Sequence, residues 1–416
     1  MERVLLLTVG IKSQRNLLKP QDQAKELKQL ALSTSANLID EIICLRDLPT
    51  PNLYLGKGKI EEVKDVCYEQ KITTVVFNND LSGTQQRNIE EILGVKVIDR
   101  TQLILDIFAR HAKTPEGKMQ VELAQLEYLL PRLSGKGIIL SRLGGGIGTR
   151  GPGEQKLEVD RRRIRDRIIK LKRDLRDIIE RRKTISKRRK ESSIPTIALV
   201  GYTSAGKSTL LNALTNCGQT VSKNLFTTLD PLSRSFSLSN NQKVVLSDTV
   251  GFINNLPPHL IEAFKATLEE VVEADLLLHV LDVSDLTFDE HNRAVLMILE
   301  KLEVEDKPII TVLNKIDKLT DKGWIQRYES DYVDSVAISA LNKENLGNLI
   351  SLIEKKLEKM VAPISLTLPI NRMDLVDLIY NEGQVKSINY TSKSIKVDAV
   401  LPSVTASKLS SFSSPK

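Results

Sequence analysis

Aromatic residues make up only 4% of this 416-residue chain, with a single tryptophan, so its cores must be built mainly from aliphatic side chains. Cysteine is as scarce. The three cysteines, Cys44, Cys67 and Cys217, share no Cys-x-x-Cys spacing and cannot form a disulfide framework. That fits a reducing compartment and predicts buried free thiols. The four histidines show no metal-ligand spacing, and His279, inside LLLHVLDV, reads as a core residue rather than a catalyst. Long apolar runs are missing too: LLLHVLDV at 276–283 falls far short of the roughly 20 residues that span a bilayer. MERVLLLTVGIK reads as a strand, not a secretory signal. These absences predict a soluble, cytoplasmic protein without a membrane span.

What is present is length, aliphatic content and unevenly placed charge. Domains commonly hold about 100–200 residues, so this chain predicts two to four units. Its net charge is +7, but residues 156–190 contain 11 Arg and 6 Lys against 4 Asp and 2 Glu. That segment alone carries +11, and the rest of the chain is net acidic.

Hydrophobic periodicity divides the chain. Up to about residue 112, strand patterns such as RVLLLTVGI and ITTVVFNND alternate with helical ones such as QAKELKQLAL and TQQRNIEEIL, which predicts a small parallel α/β domain. LGKGKIEE at 55–62 is rich in glycine and lysine but lacks a full phosphate-loop pattern, and reads first as a helix start. In 113–191, Met119, Leu123, Leu126, Leu130 and Leu133 form a heptad seam, as do Leu157, Ile164, Ile168, Leu171, Leu175 and Ile178. Two helices with one seam each predict an antiparallel hairpin. Its second helix, unbroken from 154 to 190, would run about 54 Å. Between them SRLGGGIGTRGPGEQK (141–156) holds six glycines and two arginines. Arg142 and Arg150 offer forked donors suited to phosphates and base edges. Glu154 stands where a phosphate loop would need a lysine, and suits a helix N-terminus instead.

Residues 192–360 alternate strands and helices again. Residues 361–402 read as a small α+β unit, and the serine-rich 403–416 as a disordered tail.

The densest chemistry lies in 192–360. IALVGYTSAGKST sets Gly201, Tyr202, Thr203, Ser204, Ala205, Gly206, Lys207 and Ser208 between a strand and the helix TLLNALT. This is the context a phosphate loop requires: glycines let backbone N–H groups close around phosphates, Lys207 contacts the β- and γ-phosphates, and Ser208 offers a hydroxyl to Mg²⁺. FTTLDP supplies Phe226, Thr227, Thr228, Leu229 and Asp230; Thr228 can ligate Mg²⁺ only while a γ-phosphate is present, which makes a switch. KVVLSDTVGF contributes Asp248, Thr249, Val250 and Gly251, with Asp248 toward the Mg²⁺ shell and the Gly251 N–H toward the γ-phosphate. IITVLNKID brings Asn314, Lys315, Ile316 and Asp317, and AISAL brings Ser339, Ala340 and Leu341. Asp317 can accept from guanine N1 and the 2-amino group, a pairing able to reject adenine by on the order of 10⁴. The expected ligands are GTP and GDP with Mg²⁺. Lys207, Thr228 and Gly251 are the candidate catalytic groups. Phe252 stands where many small GTPases carry a water-orienting glutamine, which predicts slow intrinsic hydrolysis completed by another group or a partner.

With these motifs in hand the chain resembles the HflX-type GTPases. FARHAKTPEGKMQVELAQLEYLLPRL, GGGIGTRGPGE ahead of a basic helix, GYTSAGKSTLLNALT, FTTLDP and DTVGFI all carry the resemblance, which covers residues 1 to about 400. It implies an α/β fold in which a P-loop GTPase domain follows a small parallel α/β domain with its helical hairpin and precedes a small α+β domain. It also implies association with the large ribosomal subunit and its RNA, a part in ribosome rescue, splitting or assembly, and ATP binding by the N-terminal domain in some members. A free monomer is expected, cytoplasmic and in part membrane-associated through ribosomes. Two other readings stay open: an RNA remodeller using ATP at LGKGK, and a GTP-timed protein-interaction module.

Overall fold

A computed structural model of the chain describes residues 2–13, 18–34, 36–133, 152–191, 194–215, 226, 232–254, 257, 260, 265–321 and 323–410. The chain divides into two compact units. One comprises Met1–Ile178 with Ser222–Asp230 and Asn254–Ala266; the other comprises Ile179–Val221, Pro231–Ile253 and Thr267–Lys416.

In the first unit β1 (Arg3–Ile11), α1 (Pro20–Ser33), β2 (Asn37–Arg46), α2 (Lys57–Glu69), β3 (Thr74–Phe77), α3 (Gly83–Leu93), β4 (Lys96–Ile98) and α4 (Arg100–His111) follow in order. The strands form an all-parallel sheet ordered β2-β1-β3-β4. RVLLLTVGI can lie inside such a sheet because nearly every residue is apolar: all but Arg3 are buried, as expected of a parallel strand covered on both faces. Cys44 and Cys67 join this core as free thiols, and burial pushes the Cys67 thiol up to about 11. Cys217 lies outside the described residues.

The glycine- and lysine-rich stretch at 55–62 is the start of α2. Gly56 occupies the N-cap, and Lys57 and Lys59 are each paired with a glutamate of the same helix, Glu61 at 3.9 Å and Glu62 at 2.5 Å.

α5 (Pro115–Leu129) and α6 (Pro152–Glu191) follow. The first seam was expected to stay α-helical to Leu133, but α5 ends at Leu129 and a 3₁₀ turn covers Leu130–Leu133. Pro131 explains this, because it has no N–H to donate back along the helix. The turn is held by Arg132, which donates to Leu81 O (2.6 Å) and Asp99 Oδ2 (3.0 Å) and lies 3.4 Å over the Tyr128 ring. The seams of α5 and α6 pack together: Leu123, Ile168, Leu171 and Leu175 are buried, flanked by Met119, Leu126, Leu130 and Ile164. A forked Arg167–Glu122 pair, with both bonds at 2.7 Å, lies beside them. The glycine-rich residues 141–151, including Arg142 and Arg150, lie outside the described residues.

The second unit holds β5 (Thr196–Gly201), α7 (Lys207–Thr215), β6 (Leu232–Ser237), β7 (Lys243–Asp248), α8 (Lys265–Glu273), β8 (Leu276–Asp282), α9 (Phe288–Lys301), β9 (Ile309–Asn314), α10 (Gly323–Asp331), β10 (Ser335–Ala337) and α11 (Leu346–Leu357). Its sheet is ordered β10-β9-β8-β5-β7-β6, parallel except for edge strand β6. Not one fully buried residue of its main core is aromatic: Leu199, Leu246, Leu278, Val280 and Ile310 fill it, as the composition requires. A three-stranded antiparallel sheet, ordered β11 (Val361–Pro369), β13 (Ser394–Pro402), β12 (Gln384–Tyr390), carries α12 (Met373–Glu382). The serine-rich end, expected to be disordered, is helical over α13 (Ser403–Leu409). Ala406 and Leu409, one turn apart, bury against this sheet; residues 411–416 lie outside those described. Among the described residues no helix is long and apolar enough to cross a membrane.

Leu171 is 1% exposed in the α5–α6 seam. Leu171→Ala is expected to destabilise the protein by about 2–4 kcal/mol through lost transfer energy and a residual cavity, read as a lower denaturation midpoint in urea.

Candidate nucleotide site

Parallel register brings the ends of four strands to one edge of the six-stranded sheet: Leu199 lies opposite Asp248, Gly201 opposite Val280 and Asp282 opposite Asn314. Loops at the carboxyl ends of such strands form the crevice where open α/β sheets bind ligands. Residues 201–208 leave β5 there and enter α7.

The glycines are required by space and by φ. Gly201 has φ +153° and Gly206 φ +101°. A Cβ on Gly201 would strike Val280 O, and one on Gly206 would strike the Asn314 amide nitrogen. The loop is also tied to the strand-end segment after β7. Thr203 N–H donates to Phe252 O (2.8 Å) and Phe252 N–H donates to Gly201 O (3.1 Å). Gly251 passes so close that a Cβ there would lie 2.8 Å from Thr203 Cγ2 and 3.1 Å from Lys207 Nζ.

Lys207 is 6% exposed. Its ammonium donates to Gly201 O (3.0 Å) and Tyr202 O (2.8 Å), which occupies two of its three N–H directions. Desolvation brings it down to about 8; Asp248 opposes that fall and Lys315 adds to it. Ser208 Oγ donates to Asp248 Oδ2 at 2.6 Å, and Asp248 is fully buried. A hydroxyl beside a buried carboxylate is the donor set a hard divalent cation takes, so these residues fit Mg²⁺. Thr249 is spent on structure, with its hydroxyl donating to Leu199 O at 2.6 Å, and Val250 is buried.

The second pole of the site is built on Asn314. Its Nδ2 donates to Ala205 O (2.9 Å), its Oδ1 accepts from Ala340 N–H (3.0 Å), and it is 2% exposed. Lys315, at φ +68°, donates to Ser204 O (2.8 Å) and pairs with Asp282 Oδ2 at 2.5 Å. Asp317 Oδ1 accepts from the Ser339 hydroxyl at 2.5 Å, and Ser339 Oγ accepts in turn from Asn342 N–H (3.1 Å). One edge of the Asp317 carboxylate is thereby fixed. Ile316 is a core residue, 3% exposed, whereas Leu341 is 73% exposed.

Of the remaining sequence candidates, Phe226 belongs to the first unit, 3% exposed, with its ring edge-on to Phe108 at 4.7 Å. Thr227, Thr228, Leu229 and Asp230 lie outside the described residues. His279 is 2% exposed, and desolvation, reinforced by Lys207, takes it down to about 4; it is a neutral core histidine. Two residues beside the site stand outside the sequence motifs. Asp282, the partner of Lys315, ends β8, and an acid at a strand end could have marked it. His291 stacks on Tyr202.

Comparison with known proteins bears on this geometry. Residues 21–109 match a family model described as GTP-binding GTPase N-terminal, 111–189 one described as GTP-binding GTPase middle region, and 196–315 one described as 50S ribosome-binding GTPase. A GTPase HflX of Caldanaerobacter subterraneus subsp. tengcongensis is 44% identical over 413 residues, which is 99% of this chain and 94% of the relative. The GTPase HflX of Escherichia coli (strain K12) is 41% identical over 352 residues, 84% of this chain and 83% of the relative. A solved GTP-binding protein of the hyperthermophilic archaeon Sulfolobus solfataricus in complex with GDP is 26% identical, with TM-score 0.45, covering 86% of this chain and 99% of that one. The fold and the matched domain define a P-loop GTPase. Within that class, the chain belongs to the HflX family of GTPases.

Asn314→Ala leaves Ala340 N–H and Ala205 O without partners in a buried place. It is expected to cost about 1–3 kcal/mol of stability and to weaken guanine-nucleotide binding, both read from melting curves with and without GDP.

Proposed function

We propose that the chain binds GTP with its phosphates in the 201–208 loop and its base against 314–317 and 339–341, hydrolyses it slowly when free, and turns over faster on the large ribosomal subunit. One observation carries the nucleotide reading: a single buried side chain, Asn314, bonds both loops, so the phosphate and base poles have a fixed separation. Lys207, with two N–H directions held by loop carbonyls, directs the third at a β- or γ-phosphate oxygen. The free edge of Asp317 accepts from guanine N1 and the 2-amino group. Ser208 through its hydroxyl and Asp248 through its carboxylate would hold Mg²⁺ together with Thr228, and the ion would supply positive charge against that of the phosphates. The Gly251 N–H would donate to a γ-phosphate oxygen.

Phe252 sets the rate. Its ring is 2% exposed, and a phenyl group neither accepts nor donates the hydrogen bond that would orient the attacking water. The free enzyme therefore relies on phosphate positioning alone. The surface that would recruit the ribosome is the basic helix α6, whose residues 156–190 carry the net +11. Polyanionic RNA gains affinity from such a stretch through counterion release. The family description of residues 196–315 as a 50S ribosome-binding GTPase supports the same partner. In this reading the protein acts in ribosome rescue, splitting or assembly, with the stretch 141–156 as its probe.

Steady-state GTP hydrolysis with and without purified large subunits, paired with co-sedimentation in GDP and in a nonhydrolysable GTP analogue, tests the proposal. At least tenfold stimulation is expected, with tighter sedimentation in the GTP form and weaker sedimentation at higher salt. A turnover rate unaffected by subunits would overturn the partner-completed site.

The lysine also gives a pH signature. A nearby phosphate favours the ammonium form and raises Lys207 again from about 8. Nucleotide binding should therefore take up a proton on the alkaline side of that value and not on the acid side, and affinity should fall as the pH rises through it. Calorimetric titration with GDP in two buffers of different ionisation heat, at about pH 8.5 and at about pH 7, reads the uptake directly.

A further inference from the structure

Tyr202 is the second residue of the phosphate loop, directly after Gly201, and its ring is stacked. It lies 3.8 Å, centroid to centroid, from the imidazole of His291, with the planes 14° apart. Tyr202 is 6% exposed. Its backbone is constrained on every side: it bridges to Phe252, the flanking Gly201 O and Thr203 N–H bond to Phe252, and its own carbonyl accepts from Lys207 Nζ at 2.8 Å. The stack adds a side-chain restraint to the residue whose carbonyl aims the lysine.

His291 is itself anchored. It sits in the first turn of α9, where its N–H donates to Thr287 O at 3.0 Å. The Thr287 hydroxyl donates its single proton to Asp285 Oδ1 (2.7 Å), so toward His291 Nε2, 3.3 Å away, it accepts. That assigns the ring proton to Nε2 and fixes the imidazole plane. The neighbouring Phe288 is edge-on to Tyr328 of α10 at 5.1 Å, which pins the helix start. The same stretch of chain begins at Asp282, the acid that pairs with Lys315. The Asp282–His291 segment therefore touches both the base loop, through Lys315, and the phosphate loop, through Tyr202.

We propose that His291 is a positioning residue for nucleotide binding, acting through the Tyr202 ring to hold the phosphate loop in the form in which Lys207 and the loop N–H groups converge. The inference rests on the reading of 201–208 as the phosphate loop. A ring is needed at 291 and an imidazole is not: the stack carries the effect, and the Thr287 bond only orients it.

The test uses the full-length protein and release of a fluorescent GDP analogue in stopped flow. Stacked pairs of this kind are worth enough to shift an equilibrium about three- to tenfold, so His291→Ala and His291→Gln should release GDP about three- to tenfold faster than the parent. His291→Phe should stay within about twofold of it. In a Tyr202→Ala background, His291→Ala should add nothing. A merely structural role would lower melting temperature in all three His291 variants without this ring-dependent order, so melting curves are recorded alongside. Parental release from His291→Ala, or an undiminished effect in the Tyr202→Ala background, overturns the proposal. Lys207→Ala keeps the two readings apart: undiminished GDP binding by that variant would instead overturn the phosphate-loop assignment.

Discussion

The carboxamide of Asn314 is the joint on which the candidate nucleotide site depends. A planar group with a donor at one end and an acceptor at the other bonds Ala205 O and Ala340 N–H at once, and its burial makes neither bond exchangeable for water. It also explains the glycine beside it: Gly206 must lack a side chain because Asn314 occupies that space. Lys315 repeats the arrangement closer to solvent, spanning Ser204 O and the Asp282 carboxylate. Two successive residues at the end of β9 thus fix the loop after β5, and the site is assembled from strand ends that the sheet has already aligned.

Within that frame Lys207 is poised by its surroundings. Burial weakens its hold on its proton while two carbonyls keep it aimed. A cation held in a dry place without full compensation is costly in an empty site and favourable once an anion arrives, because the same low dielectric strengthens attraction to a phosphate. The penalty and the specificity for an anionic ligand have one cause.

Most of the fold was legible because its signals are local. The alternation of aliphatic strands with amphipathic helices marked both parallel sheets, and the seams from Met119 and Ile164 marked two helices that would pack. Residues 201–208, 248–251 and 314–317 could be placed at strand ends because each follows a run of β-branched and leucine residues, and the structure sets them at the carboxyl ends of β5, β7 and β9. What escaped was either long-range or context-dependent. Nothing local ties His291 to Tyr202, 89 positions earlier, since a histidine in an amphipathic helix start looks like any half-exposed residue. Asp282 was hidden for the same reason. Composition misread 403–409: serines outnumber apolar residues across 403–416 as a whole, yet Ala406 and Leu409, spaced one turn apart, bury against a sheet as part of a short helix. Pro131 was visible, but the heptad pattern continued across it and masked the helix end.

The last turns of α6 show how salt enters this molecule. From Arg181 to Lys190 the sequence holds seven basic residues and no acid, beyond Leu175, which among the described residues is the last of this helix buried in the α5 seam. Cations suit a helix C-terminus, since they complement its dipole, yet like charges a turn apart in a helix cost about 0.2–0.5 kcal/mol a pair. The helical form of this segment is thus opposed by its own charge and favoured by whatever neutralises it. By that argument an anion bearing many charges favours it more than dispersed small ions do. Ionic strength therefore acts here in two opposite senses, relieving the repulsion along the helix while competing for the surface that a nucleic-acid backbone would occupy.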